Sequence, residues 1–399
     1  RLDEILQKVR KEKLTAIPGD EIFKLYDTYG FPADLVEETA KDAGLTLDME
    51  GYTQAMNEQK TKAMASWKGS GEKEVASFYK EFLQSSPATL FEGYGNTQGE
   101  GQVLAILKDS KPVDSANAGE EVEIISDKTP FYGESGGQVG DSGLASNENV
   151  QLEISNANKP LPGLIVHKTK IIHGSIHKGD SLTLVVNPKT RGATALNHSS
   201  THLLQAALKE VLGEHIKQAG SLVAADRLRF DYTHFSPLTD KERARIETLV
   251  NEKIRENIPV STREMDIDTA IKEGAVALFG EKYGETVRVV NVPGFSKELC
   301  GGTHVTATGD IGMFRITSEG GIASGVRRIE AVTGPNAHAT ILAEQESLSA
   351  MRELLKAPPS EEISKLKKLL SKNRQLEKEI TTLKEKMVSG KESAGTDDV

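Results

Sequence analysis

Asn197-His198-Ser199-Ser200-Thr201-His202-Leu203-Leu204, read together with Cys300-Gly301-Gly302-Thr303-His304 further along, decides how this chain of 399 residues folds. Residues four apart share one face of a helix, so a helix here aims His198 and His202 at one point. A helix is expected because Asn197 can cap it, and Leu203, Leu204, Ala207, Leu208, Val211 and Leu212 follow at helical spacing up to Gly213. The second pair reads as a loop in which Gly301 and Gly302 let the backbone turn tightly. Each pair alone has an ordinary explanation, as a surface or core histidine pair and as a small buried thiol. The chain's only cysteine lies in the second pair, however. His198, His202, Cys300 and His304 together therefore read as ligands of one zinc ion, because three imidazoles and a thiolate suit zinc better than magnesium or calcium. The spacing leaves open whether four protein ligands close the site or three leave a place for water.

Composition sets the frame around these motifs. Hydrophobic residues make up 37% and charged residues 27%, values of a globular chain too long for one ordinary core. No apolar run reaches the length of a membrane span, no signal peptide opens the chain, and a single cysteine excludes an internal disulfide, so a cytoplasmic location is expected. A net charge of -10 argues against indiscriminate nucleic-acid binding and confines any RNA contact to a local patch. The first residue, Arg1, falls within a helical pattern of Leu2, Ile5, Leu6 and Val9, which suggests a piece of a longer protein.

The fold class expected is multidomain α+β, in four parts. Residues 1–86 read as helical: Asp20 caps a helix that ends at Gly30, Pro32 opens another that stops near Gly44, and a third runs from Tyr52 to Trp67 before Gly69-Ser70-Gly71. Residues 87–188 alternate β-rich runs, such as Val103–Leu107 and Leu182–Val186, with turn residues, as in a small β-barrel. Residues 189–342 mix helices (191–212, 238–256, 267–273) with strands (227–232, 286–291, 313–317, 326–332) in an α+β zinc-containing domain. In 343–399, Leu366, Leu369, Asn373, Leu376, Ile380, Leu383 and Met387 form a heptad seam that suits a coiled coil, a helical hairpin or a solvated linker. Ser389–Val399 reads as disordered.

Two glycine-rich stretches flank the metal pairs. In Thr129–Asp141, glycines surround Glu134, Gln138 and Asp141 and allow close approach to a ligand, although a plain barrel hairpin has the same look. In Ser318–Glu330, Arg327 and Arg328 offer guanidinium forks for phosphate or a terminal nucleotide, or alternatively a salt bridge to Glu330 or another acid.

Pro130–Asp141, Asn197–His202, Cys300–His304 and Gly325–Glu330, taken in this order, resemble the alanyl-tRNA synthetases in their editing half. Asp27–Asp34 resembles the end of that family's helical tRNA-recognition domain, and the resemblance implies that Asp34 helps read the wobble G·U pair of the acceptor stem. Lys367 onward is similar to the start of the helical connection to the family's C-terminal domain. The resemblance implies a hydrolase that removes serine or glycine from mischarged tRNA-Ala. One zinc ion would sit in the editing domain, with Gln218, Thr201 and Cys300 at the reacting end and Gln138, Arg327 and Arg328 beside the RNA. Zinc could then activate a water, polarise the ester or hold the substrate's amino group. ATP and magnesium would belong to a class II core that precedes Arg1, so this chain alone should not charge tRNA.

Two other readings stand beside this one: a freestanding trans-editing deacylase, and a non-catalytic RNA-binding module stabilised by zinc. The helical region with Asp34 speaks against the first, and deacylation of Ser-tRNA separates the second from both hydrolases. The expected partners are the tRNA-Ala acceptor stem with its aminoacylated 3′ end, no membrane, and a homodimer if the C-terminal helix pairs.

Overall fold

The computed structural model describes residues 2–11, 14–29, 36, 39–41, 43–56, 72–277, 284–323 and 325–392. It divides into two compact units, 1–336 and 337–399. At the N-terminus, helices α1 (Leu2–Lys11) and α2 (Gly19–Tyr29) pack Ile5, Leu6, Val9, Ile22 and Leu25 into a small core with Val36 and Ala40. Ala16–Ile17 pairs in parallel with Thr46–Leu47 beside it. Asp34, Trp67 and Gly69–Gly71 lie outside the described residues, whereas helix α3 (Glu72–Ser85) lies within them.

Six antiparallel strands then close a barrel. They are β1 (Gln98–Lys108), β2 (Glu121–Ser126), β3 (Gly143–Ser146), β4 (Val150–Leu161), β5 (Leu164–His177) and β6 (Ser181–Val186), in the order β4-β3-β6-β1-β2-β5, with β5 returning to β4. Closure leaves no free edge in the ring, and alternate residues such as Leu152, Ile154, Leu182 and Leu184 fill the inside.

Helix α4 (Pro188–Leu212) follows directly and is the axis of the next part. Its cap is Asn187, whose side chain accepts from the backbone N–H of Lys189 and Thr190, with Pro188 in the first turn. Asn197 is therefore not the cap. It lies mid-helix and buried, where its amide nitrogen donates to Ala224 O at 2.7 Å and its oxygen accepts from Thr333 Oγ1 at 2.7 Å. Leu203, Leu204, Ala207 and Leu208 are fully buried against α5 (Asp240–Arg255) and a four-stranded antiparallel sheet. The strands of that sheet are β7 (Gln218–Val223), β8 (Leu228–Thr233), β12 (Phe314–Ala323) and β13 (Val326–Thr333), in the order β7-β8-β13-β12. A second sheet, β9 (Ser261–Asp266), β10 (Thr286–Val292) and β11 (Ser296–Leu299), with the short helix α6 (Ile267–Lys272) following β9, delivers the chain to Cys300. Strands β7, β9 and β11 were not expected from the sequence, because β7 and β9 bury one residue between them, β11 is only four residues long, and little apolar alternation marks any of the three.

The second unit holds most of α7 (Gly334–Leu355) and α8 (Glu362–Glu392), separated by Pro358 and Pro359. The seam residues Leu366, Leu369, Leu376, Ile380 and Leu383 are about half exposed. Helix α8 also runs through Ser389 to Glu392, beyond the point at which disorder was expected. Among the described residues no helix is long and apolar enough to cross a membrane.

Candidate metal centre and adjoining cavity

The two motifs meet. Successive turns of α4 stack the rings of His198 and His202 at 5.4 Å and 10°, and His304 comes within 4.4 Å and 5.0 Å of them. One donor atom from each of His198, His202, Cys300 and His304 lies within 4.8 Å of all the others, so the cluster could hold a metal ion. A tetrahedral ion with bonds of about 2.0–2.3 Å sets its ligand atoms about 3.3–3.6 Å apart. Cys300 Sγ already lies 3.3 Å from Nε2 of both His198 and His304. The fourth donor, His202 Nε2, is buried and has no hydrogen-bond partner. A buried nitrogen without a partner is costly, and a cation shared with the other three donors removes that cost. The residues therefore fit the group.

The charges suit it as well. Burial by itself pushes the Cys300 thiol up, but the imidazoles of His198, His304 and His202 outweigh it and hold the thiol well below its ordinary range. Burial drives His304 down to about 3. Burial also pushes His202 down, but the negative charges of Glu298 and Cys300 dominate and leave it well above the usual histidine value, so a metal bound there takes the place of a ring proton. The thiolate is the form that binds a metal.

Each ring is held from behind through its other nitrogen. His198 Nδ1 donates to Gln138 Oε1 at 2.6 Å, His202 Nδ1 to Glu298 Oε2 at 2.7 Å, and His304 Nδ1 lies 3.2 Å from Ser199 Oγ. Such partners fix which ring nitrogen faces the metal. Gln138 does more: Oε1 also accepts from Thr303 N at 2.9 Å, and Nε2 donates to Thr303 Oγ1 at 3.0 Å. Gln138, expected beside the RNA, is turned inward. The side chain is fully buried, and its carboxamide is used on His198 and the ligand loop.

The loop bearing Gln138 is anchored by Arg191, two turns before His198 on α4. The Arg191 guanidinium forks onto Asp141, with Nε 3.0 Å from Oδ1 and 2.9 Å from Oδ2, and also donates to Gly93 O and Pro130 O. Asp141 in turn accepts from Tyr132 N at 2.6 Å. Gly137 takes φ +81°, and Gly137 O accepts from Val223 N at 2.7 Å, which joins the loop to β7. On the other side, Arg288 donates to Cys300 O at 3.1 Å and Gly302 O at 2.8 Å, while Tyr94 of the barrel donates to Gly301 O at 2.8 Å. A Cβ on Gly302 would lie 2.0 Å from the His198 ring, so only glycine fits there.

A cavity of about 340 Å³ opens beside the cluster. His198, His202 and Cys300 line it together with Thr201, Gln218 and Ser221, and Phe91, Tyr94 and Tyr132 form an aromatic wall. Gln218 opens strand β7 and reaches Ser221 Oγ at 3.4 Å. Thr201 Oγ1 donates to Asn197 O at 2.9 Å and keeps lone pairs free to accept. Arg327 and Arg328 do not line this cavity. Arg328 forks onto Asp231 at 2.7 and 2.9 Å, and Arg327 pairs with Glu319, so the alternative of an acid partner applies to both.

Sequence reasoning missed Glu298, Ser199 and Arg191. Arg191 carried a signal, a charged residue seven positions before His198 on the same helical face. Glu298 stands only two residues before Cys300, yet nothing in the pattern shows that β11 turns it inward.

Comparison with known proteins gives two family models. One, described as "tRNA synthetases class II (A)", matches residues 1–190, and one described as "Threonyl and Alanyl tRNA synthetase second additional domain" matches 287–330. The protein named Alanine--tRNA ligase from Desulfosudis oleivorans is 46% identical over 383 residues, covering 96% of this chain and 43% of that protein. Its namesake from Nitratidesulfovibrio vulgaris is 44% identical over 390 residues, 98% of this chain and 44% of the relative. That from Xanthomonas campestris pv. campestris is 46% identical over 388 residues, 97% and 44% respectively. The chain therefore spans less than half the length of these relatives.

Proposed function

This chain belongs to the alanyl-tRNA synthetase family, and from that premise we propose that it is the portion that edits, by hydrolysing the ester between serine or glycine and the end of tRNA-Ala. The observation that carries the proposal is the convergence of His198, His202, Cys300 and His304 on one wall of a cavity that Thr201 and Gln218 also line. In the whole protein, a class II core using ATP and magnesium would attach alanine in the cytoplasm. Size alone discriminates between small amino acids only about 10- to 200-fold, so a second site is needed to remove the errors.

Zinc, when bound by the four side chains, supplies a Lewis acid. The chain's own residues provide selection and shape. A serine hydroxyl can donate to Thr201 Oγ1, whose own proton is committed to Asn197 O, and the Gln218 carboxamide offers a second partner. An alanine methyl can do neither, which leaves those polar groups unanswered. Phe91, Tyr94 and Tyr132 exclude water from one side of the cavity. Asp34 would read the acceptor stem, Arg328 with its one-third exposed side chain would meet phosphate, and Arg327 would hold the same hairpin in place. The exposed seam of α8 is the surface through which a second copy would pair.

Purified chain, analysed for zinc, is incubated with Ser-, Gly- and Ala-tRNA-Ala. We expect the first two to be deacylated and the third spared. Cys300→Ala should remove both the metal and the activity, and unchanged deacylation with zinc still bound defeats the role given to the thiol. The second reading, an RNA-binding module, draws on the fact that all four donors come from protein, as in a closed structural site. It predicts tRNA binding without hydrolysis.

A further inference from the structure

Glu298 stands behind the metal cluster and is absent from the lining of the cavity beside it. Its residue is 4% exposed, Oε2 accepts a hydrogen bond from His202 Nδ1 at 2.7 Å, and Oε1 accepts from Ser296 Oγ at 2.8 Å. Its other face borders a separate cavity of about 640 Å³ that Gln205 and Lys209 also line. Of the three ligand imidazoles, His202 alone is backed by a carboxylate, since His198 rests on an amide oxygen and His304 on a hydroxyl. We propose that Glu298 is a positioning residue that sets the metal affinity of the centre through His202.

Two physical effects support the assignment. A carboxylate can only accept, so Nδ1 must carry the proton and Nε2 presents its lone pair to the other donors. A charge-assisted hydrogen bond is about twice as strong as a neutral one and raises the basicity of the ligating nitrogen. The second effect is charge balance. The Cys300 thiolate and the Glu298 carboxylate together carry two negative charges, which match a divalent cation among the neutral contacts from Gln138, Ser199 and His304. Without Glu298 the buried cation is left with an unbalanced charge, which is costly away from water. The inference rests on the four-ligand reading of the centre and is independent of whether the site hydrolyses anything.

The full chain, stripped of metal, is titrated with zinc against a chromophoric chelator. Glu298→Gln keeps an acceptor but loses the charge and should weaken binding about tenfold, and Glu298→Ala, which orphans Nδ1, about a hundredfold. Cobalt loading should shift the ligand-field bands of both variants. If both bind zinc within about twofold of the parent chain, the proposal is overturned even where the metal-free protein has become less stable. A parent chain that binds no zinc instead overturns the ligand reading beneath it. Should neither variant fold, proton and nitrogen-15 histidine spectra of the zinc-loaded parent decide: an Nδ1 proton of His202 shifted well downfield of those of His198 and His304 supports the assignment, and one no further downfield than theirs defeats it.

Discussion

The loop 130–141 and the hairpin 318–330 are both glycine-rich and both carry charged side chains, yet the fold uses them in opposite ways. In the loop, Gln138 and Asp141 point inward and are consumed by His198, Thr303 and Arg191. In the hairpin, Gly320 has open space around it, and Arg327 and Arg328 pair with Glu319 and Asp231 along the sheet. Glycine content alone does not separate a loop that reaches into a site from one that stays on the surface. What separates them is where the neighbouring polar groups find partners.

Four measurements press on this contrast. Asp141→Ala leaves the Arg191 guanidinium buried without its counter-ion and should cost about 3–5 kcal/mol in chemical unfolding. A loss below about 1 kcal/mol would put the loop on the same footing as the hairpin. The next effect is a pH dependence that arises beneath the loop. His167 is buried against Phe131, with Nε2 2.9 Å from Thr129 Oγ1, and burial lowers it to about 4. The native ring stays neutral while the unfolded chain takes up a proton below about pH 6.5, so stability is complete above that value. It falls as pH drops toward 4, by about 3 kcal/mol in total. Urea titrations at pH 7 and 4.5 should show that this part of the loss disappears in His167→Asn.

Third, Gly137→Ala should cost about 2 kcal/mol, because φ is +81° and the added Cβ would lie 2.2 Å from Ser221 Oγ. Gly320→Ala, with nothing within 4 Å, should leave the melting temperature unchanged or slightly raised. Equal effects at the two glycines would erase the distinction. The smallest effect concerns Arg328→Ala, which should weaken tRNA binding evenly across sequences and lower the salt slope by about one. An unaltered slope assigns that guanidinium to Asp231 alone.

Much of the site was legible because its donors follow covalent spacing. His198 and His202 are one turn apart on a helix whose apolar residues announce it, and Cys300 and His304 flank a glycine pair. The barrel was legible from its alternation and turns. What stayed hidden depends on tertiary contact. Asn187 rather than Asn197 caps α4, although Pro188 beside it carried the signal. Gln138 looked like an RNA contact because nothing in a glycine-rich stretch says which way a carboxamide turns. Glu298 and Ser199 act through neighbours far away in sequence, and strand β7, which places Gln218, has only one buried residue to mark it.

The carbonyls of Cys300 and Gly302 are gripped by Arg288, whose guanidinium carbon lies 4.1 Å from the centre of the Tyr94 ring, and Tyr94 itself holds Gly301. The ligand loop is thus clasped by Arg288 from β10 and by Tyr94 from the chain just ahead of β1. A graft that moves only the stretch from α4 to β13 into a foreign scaffold would carry every donor and leave behind Tyr94 and Gln138. The smallest transplantable cassette begins ahead of β1, no later than Tyr94.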